Sequence, residues 1–203
     1  SSAASDVYKR QKYSFLLDMA NEASVEEIKW YIMHSYKNEK KAEEMLRNYE
    51  KLEFFIPKEQ AIRTRNGKKI ISMVPVIPSL IFVHASQKSI VNFKKTVYND
   101  LQFVIWKKHD GSETHYLTVG DKEMGNFIQL YEQKDKKVSF YRPDEIDVKK
   151  GVRVRVHCNG AMDKLEGLFV KVAHKRSKQI VVLIPDALAI SAEVEPDVLE
   201  VIE

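Results

Sequence analysis

Apolar residues along the chain change their period near the middle. Trp30 to Tyr36 (WYIMHSY) is dense in aromatic and β-favouring residues and predicts a strand. Asn38 offers a helix N-cap. Ala42, Met45, Leu46 and Tyr49 then recur at i, i+3, i+4 and i+7, while Lys40, Lys41, Glu43, Glu44 and Arg47 cover the opposite face. Short strands are expected at 53–57 (EFFIP) and 80–84 (LIFVH), the latter entered through Pro78. Between them lies Asn66-Gly67, the strongest short signal for a hairpin turn. Ser89 is the expected cap of a second helix bearing Ile90, Phe93, Val97 and Leu101. A strand follows at 103–106 (FVIW), and Asp121 opens a third helix with Met124, Phe127, Ile128 and Tyr131 on one face. The order β-α-β-β-α-β-α is the ferredoxin-like β-α-β-β-α-β arrangement with one helix added.

After residue 132 the helical period ends. Residues 133–150 are charged, contain Pro143 and show no sustained periodicity, so they read as a linker. Beyond Gly151, Val152, Val154 and Val156 alternate with Arg153, Arg155 and His157, and Leu168, Val170 and Val172 form a second alternating set. Residues 180–184 (IVVLI) are continuously apolar, and 187–192 and 198–202 supply two more short strands, a pattern expected of a small barrel. The predicted organisation is α+β: a leader at 1–26, an α/β domain at 27–132, a linker at 133–150 and an all-β domain at 151–203. Within the leader, DVYKRQ resembles translated adapter sequence; the alternative is an ordinary disordered N-terminus, and Met19 is a candidate natural start.

Composition narrows the function classes. The 203 residues are 44% hydrophobic and 31% charged, enough to bury a core. Lys and Arg number 33 against 29 Asp and Glu, a formal charge of +4 too mild to define a partner without knowing where the charges lie. A single cysteine excludes an internal disulfide framework and a Cys-rich zinc site. The longest apolar run, Met73–Val83, is too short to span a bilayer, so a cytoplasmic protein without membrane attachment is expected.

No catalytic constellation stands out. Cys158 adjoins His157, but neighbours on a strand point to opposite faces. The remaining histidines have no metal-ligand spacing, and there is no phosphate loop, dinucleotide turn or nucleophile elbow. Neither enzymatic activity nor a metal or cofactor is expected. Binding surfaces are the stronger candidates. Val74, Val76, Ile77, Leu80, Ile81 and Phe82 are more apolar residues than one buried strand face needs, so some are expected to be exposed to a partner or covered by the helices. Leu80 and Phe82 share a face, and His34 and Tyr36 extend the patch. Arg63, Arg65, Lys68 and Lys69 flank the Asn66-Gly67 turn, where they contact nucleic-acid phosphates or are simply solvated. Arg153 and Arg155, with Lys171, Lys175 and Arg176 at a strand connection, form a second cationic set. They face nucleic acid or an acidic protein, or pair with the wholly acidic charges after Lys178.

Three segments carry a family resemblance. WYIMHSYKNEK at 30–40 is similar to the opening strand of the NusG N-terminal (NGN) domain. IPSLIFV at 77–83 resembles the family's Pro-Gly-Tyr-Val-Leu-Val strand, and GVRVRV at 151–156, with Gly160 and the Leu165-Glu166-Gly167 turn, is similar to a KOW motif. The Ile-Pro-Ser-Leu-Ile-Phe-Val strand, DKEMGNFI at 121–128 and AISAEVEP at 189–196 look most like the specialised UpxY-type antiterminators of polysaccharide operons. Ser79 departs from the family's glycine, and Gly160-Ala161-Met162 from its Gly-Pro-Phe turn. The resemblance implies a ferredoxin-like NGN domain followed by an SH3-like KOW barrel. It implies a monomer whose first domain binds the clamp helices of RNA polymerase, with Ile77 at the contact, and suppresses pausing and termination. Further partners would be nucleic acid of the elongation complex and an unidentified protein on the KOW domain. The alternative is a KOW-barrel RNA-binding or ribosome-associated protein.

Overall fold

The computed structural model describes residues 26–36, 38–133 and 136–202. Residues 1–25 of the leader expected at 1–26, including Met19, lie outside the described residues. In chain order the elements are β1 (Ile28–Ser35), α1 (Glu39–Arg47), β2 (Glu53–Phe55), β3 (Lys58–Arg65), β4 (Lys68–Pro75), β5 (Leu80–Ser86), α2 (Gln87–Thr96), β6 (Leu101–Phe103), β7 (Ile105–Lys107), β8 (Thr114–Tyr116), β9 (Thr118–Val119) and α3 (Asp121–Tyr131). There follow β10 (Ser139–Tyr141), β11 (Val152–Val156), β12 (Glu166–Lys171), β13 (Lys178–Ile184), β14 (Leu188–Glu193) and β15 (Leu199–Val201). They form two compact units. One takes the described residues up to Phe55 with Ser79–Tyr116; the other takes Ile56–Pro78 with the described part of Leu117–Glu203. This division does not follow the expected break after residue 132.

In the first unit the strands lie in the order β2-β5-β1-β6 and pair antiparallel. Numbered among themselves along the chain they are 2-3-1-4, and helices α1 and α2 follow the first and third, as a ferredoxin-like arrangement requires. Asn38 caps α1, its Oδ1 accepting from the Lys41 N–H at 3.0 Å. The cap of α2 is Ser86, whose hydroxyl oxygen accepts from the Ser89 N–H, and not the expected Ser89. Ala42, Leu46, Ile90 and Phe93 are buried. Four consecutive residues of β5, Leu80 to Val83, are at most 3% exposed, so both faces of this strand are inside. The expected strand at 103–106 divides into β6 and β7, and β7 turns through Asp110-Gly111 into β8.

The second unit contains a six-stranded antiparallel sheet in the order β10-β14-β13-β12-β11-β15. Among the described residues no ladder joins β10 to β15, the two ends of this order. The linker expected at 133–150 is partly structural. Ser139–Tyr141 pairs with β14, and Ile146 is buried with Val170, Val172, Val181 and Ala189. The run is only three residues long and is flanked by charge, which hid it from a reading of periodicity. Val154 and Val156 are buried, whereas Val152 is exposed. Gly167 lies where β12 meets β13; a Cβ there would stand 2.6 Å from the Val181 carbonyl oxygen.

Helix α3 belongs with this sheet. Its N-cap is Gly120, with Asp121 in the first turn instead of at the cap. Met124, Phe127 and Leu130 are buried. Three residues on another face bond the region around β12: Asn126 Oδ1 accepts from the Glu166 N–H, Gln129 Nε2 donates to the Ala161 and Asp163 carbonyls, and Lys122 Nζ lies 2.7 Å from Glu166. The Glu166 side chain is 8% exposed and also accepts from Arg155 Nε and Nη2 at 3.1 and 2.8 Å. The bond from Lys122, then that from Arg155, holds its carboxyl below the usual carboxylate range.

Two outcomes follow. Glu166→Gln is expected to cost about 1.5–3 kcal/mol, the range for hydrogen bonds to a charged group. A folded pKa below the unfolded one, about 4.3, stabilises the protein above that value, and the contribution is lost as pH falls through the folded pKa. Thermal unfolding across that acidic window should therefore be less pH-dependent in the variant than in the wild type. Gly167→Ala, overpacked against the β13 backbone, is expected to lose about 1–3 kcal/mol, measured as a lower denaturation midpoint.

Candidate partner and nucleic-acid interface

The apolar residues proposed for a partner surface separate by exposure. Leu80 and Phe82 are 3% and 0% exposed and belong to the core, so neither is available on the surface. The reason is the burial of β5 on both faces, which a continuous apolar run permits. Tyr36, just beyond β1, is 72% exposed, and the half-buried His34 lies beside it with ring centroids 6.0 Å apart. Ile77 is half-buried in the segment joining β4 to β5. The structure thus brings His34 and Tyr36 together and leaves Ile77 partly accessible.

Ser79 holds the turn before β5 in an unusual way. Its φ is +67°, a left-handed conformation that favours glycine, the residue it replaces relative to the family pattern. The Ser79 N–H donates to Glu39 Oε2 at 2.9 Å, and the Ser79 carbonyl accepts from the Ser35 N–H at 3.0 Å. Glu39 lies in the first turn of α1, so one carboxylate fixes both the helix start and this turn.

The basic hairpin forms and is longer than the turn alone indicated. β3 and β4 pair from Lys58↔Pro75 to Arg65↔Lys68, and Asn66 and Gly67 have φ of +51° and +73°, as a type I′ turn requires. Arg63, Arg65 and Lys68 share one face; Lys69 lies on the other, and all four are exposed. That other face also carries Ile62, Ile71 and Met73, which are 66%, 64% and 54% exposed. The base of the hairpin is fixed by Tyr131, whose hydroxyl donates to the Lys58 carbonyl and accepts from its N–H.

The second cationic set divides. Arg155 is held by Glu166 and lies 3.6 Å from Glu200, so its charge is compensated inside the protein. Arg153 is more exposed, 4.0 Å from Glu166. Lys171 Nζ donates to the Arg176 carbonyl, and Lys175 Nζ to Ser139 Oγ at 2.7 Å. That last bond draws the 174–176 turn towards the segment leading into β10, where Lys136 and Lys137 stand. These two lysines were missed in the sequence because their segment read as linker. His157 Nε2 pairs with Glu200 at 2.6 Å, and the Cys158 backbone N–H donates to Asp163 Oδ1. A surface aromatic pair was also missed: Trp106 stacks on His115 at 4.7 Å across β7 and β8. Asp110-Gly111 was its available signal. Among the described residues no group of His, Cys, Asp and Glu is arranged to hold a metal, and no helix is long and apolar enough to cross a membrane.

The left-handed turn generates a test. Ser79→Gly is expected to raise stability by up to about 1 kcal/mol, because glycine removes the steric cost of positive φ. Ser79→Val, β-branched at the same φ, is expected to lower it by more than about 1 kcal/mol. Chemical denaturation of the two variants measures both.

Comparison with known proteins gives one family. Residues 28–128 match the family model described as "Transcription termination factor nusG". No curated protein matches the chain.

Proposed function

We propose that the chain, whose residues 28–128 make up a NusG-family domain, is a transcription elongation factor that binds RNA polymerase and acts as a specialised antiterminator. The observation that carries the reading is the family match, which covers the whole of the ferredoxin-like sheet. The accessible residues on that domain support the placing of the contact. Tyr36 with His34, and Ile77, offer aromatic and aliphatic surface of the kind that docks a helical partner such as the polymerase clamp helices. The exposed basic face of the β3–β4 hairpin suits the nucleic acid of an elongation complex.

The mechanism is positional. A protein that bridges two parts of the polymerase and binds the closed state better shifts the population away from the opened, paused state, by no more than its difference in affinity for the two. Residues 151–156, similar to a KOW motif, begin the sheet region proposed to recruit a further partner. The UpxY-like segments make polysaccharide operons the proposed targets.

Ile77→Asp should weaken binding to purified RNA polymerase by about tenfold or more: losing a buried aliphatic group costs about 1.5–3 kcal/mol, and the charge adds a desolvation cost. Tyr36→Ala should weaken it to a similar degree. Both variants should melt within about 0.5 kcal/mol of the wild type, since neither residue is in the core. Leu80→Asp is expected to unfold the first unit instead. Normal polymerase binding by folded Ile77→Asp and Tyr36→Ala would contradict the assignment.

A further inference from the structure

We infer that the cationic turn between β12 and β13 and the hollow beside it form a binding site for a single-stranded nucleic acid. The inference deepens the nucleic-acid part of the reading above and rests on it. Two adjoining hollows, of about 500 and 330 Å³, share Ser177, Glu193 and Glu195. The larger is lined by Lys136, Lys137, His174, Lys175 and Arg176, two segments far apart in the chain. They meet because His174 takes a left-handed φ of +62°, folding the turn back, and because Lys175 Nζ bonds Ser139 on β10. The smaller is lined by Phe169, Val194 and Pro196, with Lys178 Nζ 5.6 Å from the Phe169 ring centroid.

The pairing of these hollows is what selects the ligand. In the larger hollow Lys136, Lys137, Lys175 and Arg176 outnumber the carboxylates of Glu193 and Glu195, and this net positive charge attracts phosphates. A neighbouring aromatic and apolar hollow accepts a flat base, which a duplex would keep stacked inside. An acidic peptide would satisfy the cations and leave the aromatic hollow unused. The two acids that line both hollows fit the same ligand. Glu193 already accepts from Ser177 Oγ at 2.5 Å, and Glu195 stands where a base edge can donate an N–H to it. A phosphate among Lys136, Lys175 and Arg176 with its base towards Phe169 therefore meets complementary groups at each end.

The test uses the full chain and fluorescence anisotropy with a labelled single-stranded RNA of about a dozen nucleotides, the same sequence as DNA, and the DNA duplex. The wild type should bind both single strands and bind the duplex more weakly; the ratio of RNA to DNA identifies the natural source. Lys136→Glu with Arg176→Glu should weaken single-strand binding by about tenfold. It should also flatten the dependence of log K on log salt by about 1.4, for two lost phosphate contacts. Phe169→Leu, which keeps apolar packing and removes the ring, should weaken it by at least about fivefold, within the range for loss of one stacked base. Three results would overturn the inference: unchanged binding by the double charge reversal, duplex binding as tight as single-strand binding, or competition by polyglutamate as effective as by RNA. Polymerase binding measured on the same samples separates the two readings. RNA binding insensitive to these variants in a chain that binds polymerase overturns only this site. Sensitive RNA binding in a chain that does not bind polymerase overturns only the proposed function.

Discussion

The burial of β5 on both faces is the constraint around which the rest is arranged. Successive side chains of a strand point to opposite sides, so a strand with one wet face alternates apolar and polar residues. Leu80, Ile81, Phe82 and Val83 do not alternate, and all four are inside. β5 lies between β2 and β1 in its sheet, so its backbone is paired on both edges as well. A strand committed in this way has no side chain left for a partner. The residues that remain accessible lie outside this strand: Tyr36 beyond the end of β1, the half-buried Ile77, and the exposed β3–β4 hairpin.

A second arrangement relies on charge. Glu166 is nearly buried, which is costly for a carboxylate unless it is paired and hydrogen-bonded. Lys122 from α3 and Arg155 from β11 supply that pairing, and Asn126 binds the Glu166 backbone. Helix α3 consequently has an apolar set of buried residues, Met124, Phe127 and Leu130, and a polar set that recognises backbone and charge around β12. Directional bonds of this kind fix orientation more than they add stability. Arg155 is thereby removed from the cations available to an external ligand, whereas Lys136, Lys137, Lys175 and Arg176 line a hollow open to one.

Local signals were legible in the sequence where the residues that decide them are neighbours. Asn38 caps α1, Asn66-Gly67 turns the hairpin, and the alternation of Val154 and Val156 with arginines marks the inner face of β11. Features decided by distant partners were not. Ser139–Tyr141 is a strand because β14 lies beside it, and its three residues carry no period of their own. Glu166 reads as a surface charge until Lys122 and Arg155 are seen around it. Leu80 and Phe82 read as a patch because a run of apolar residues does not say how many of its faces are covered. At the proposed nucleic-acid surface, Lys171, Lys175 and Arg176 were legible as a charge cluster, whereas Lys136 and Lys137 are brought to it from a distant segment that the Lys175–Ser139 bond ties to the turn.

The proposed action is that the domain at 28–128, which matches the NusG family model, engages the elongating polymerase and keeps it moving. The most direct measurement is single-round transcription by purified RNA polymerase on a template carrying a pause site and a downstream terminator, with and without the full chain. The account predicts shorter pause lifetimes and a larger read-through fraction as the chain is added, saturating with its binding to polymerase. Pause lifetimes and read-through that do not change, or termination that increases, at concentrations where the chain is bound would contradict it.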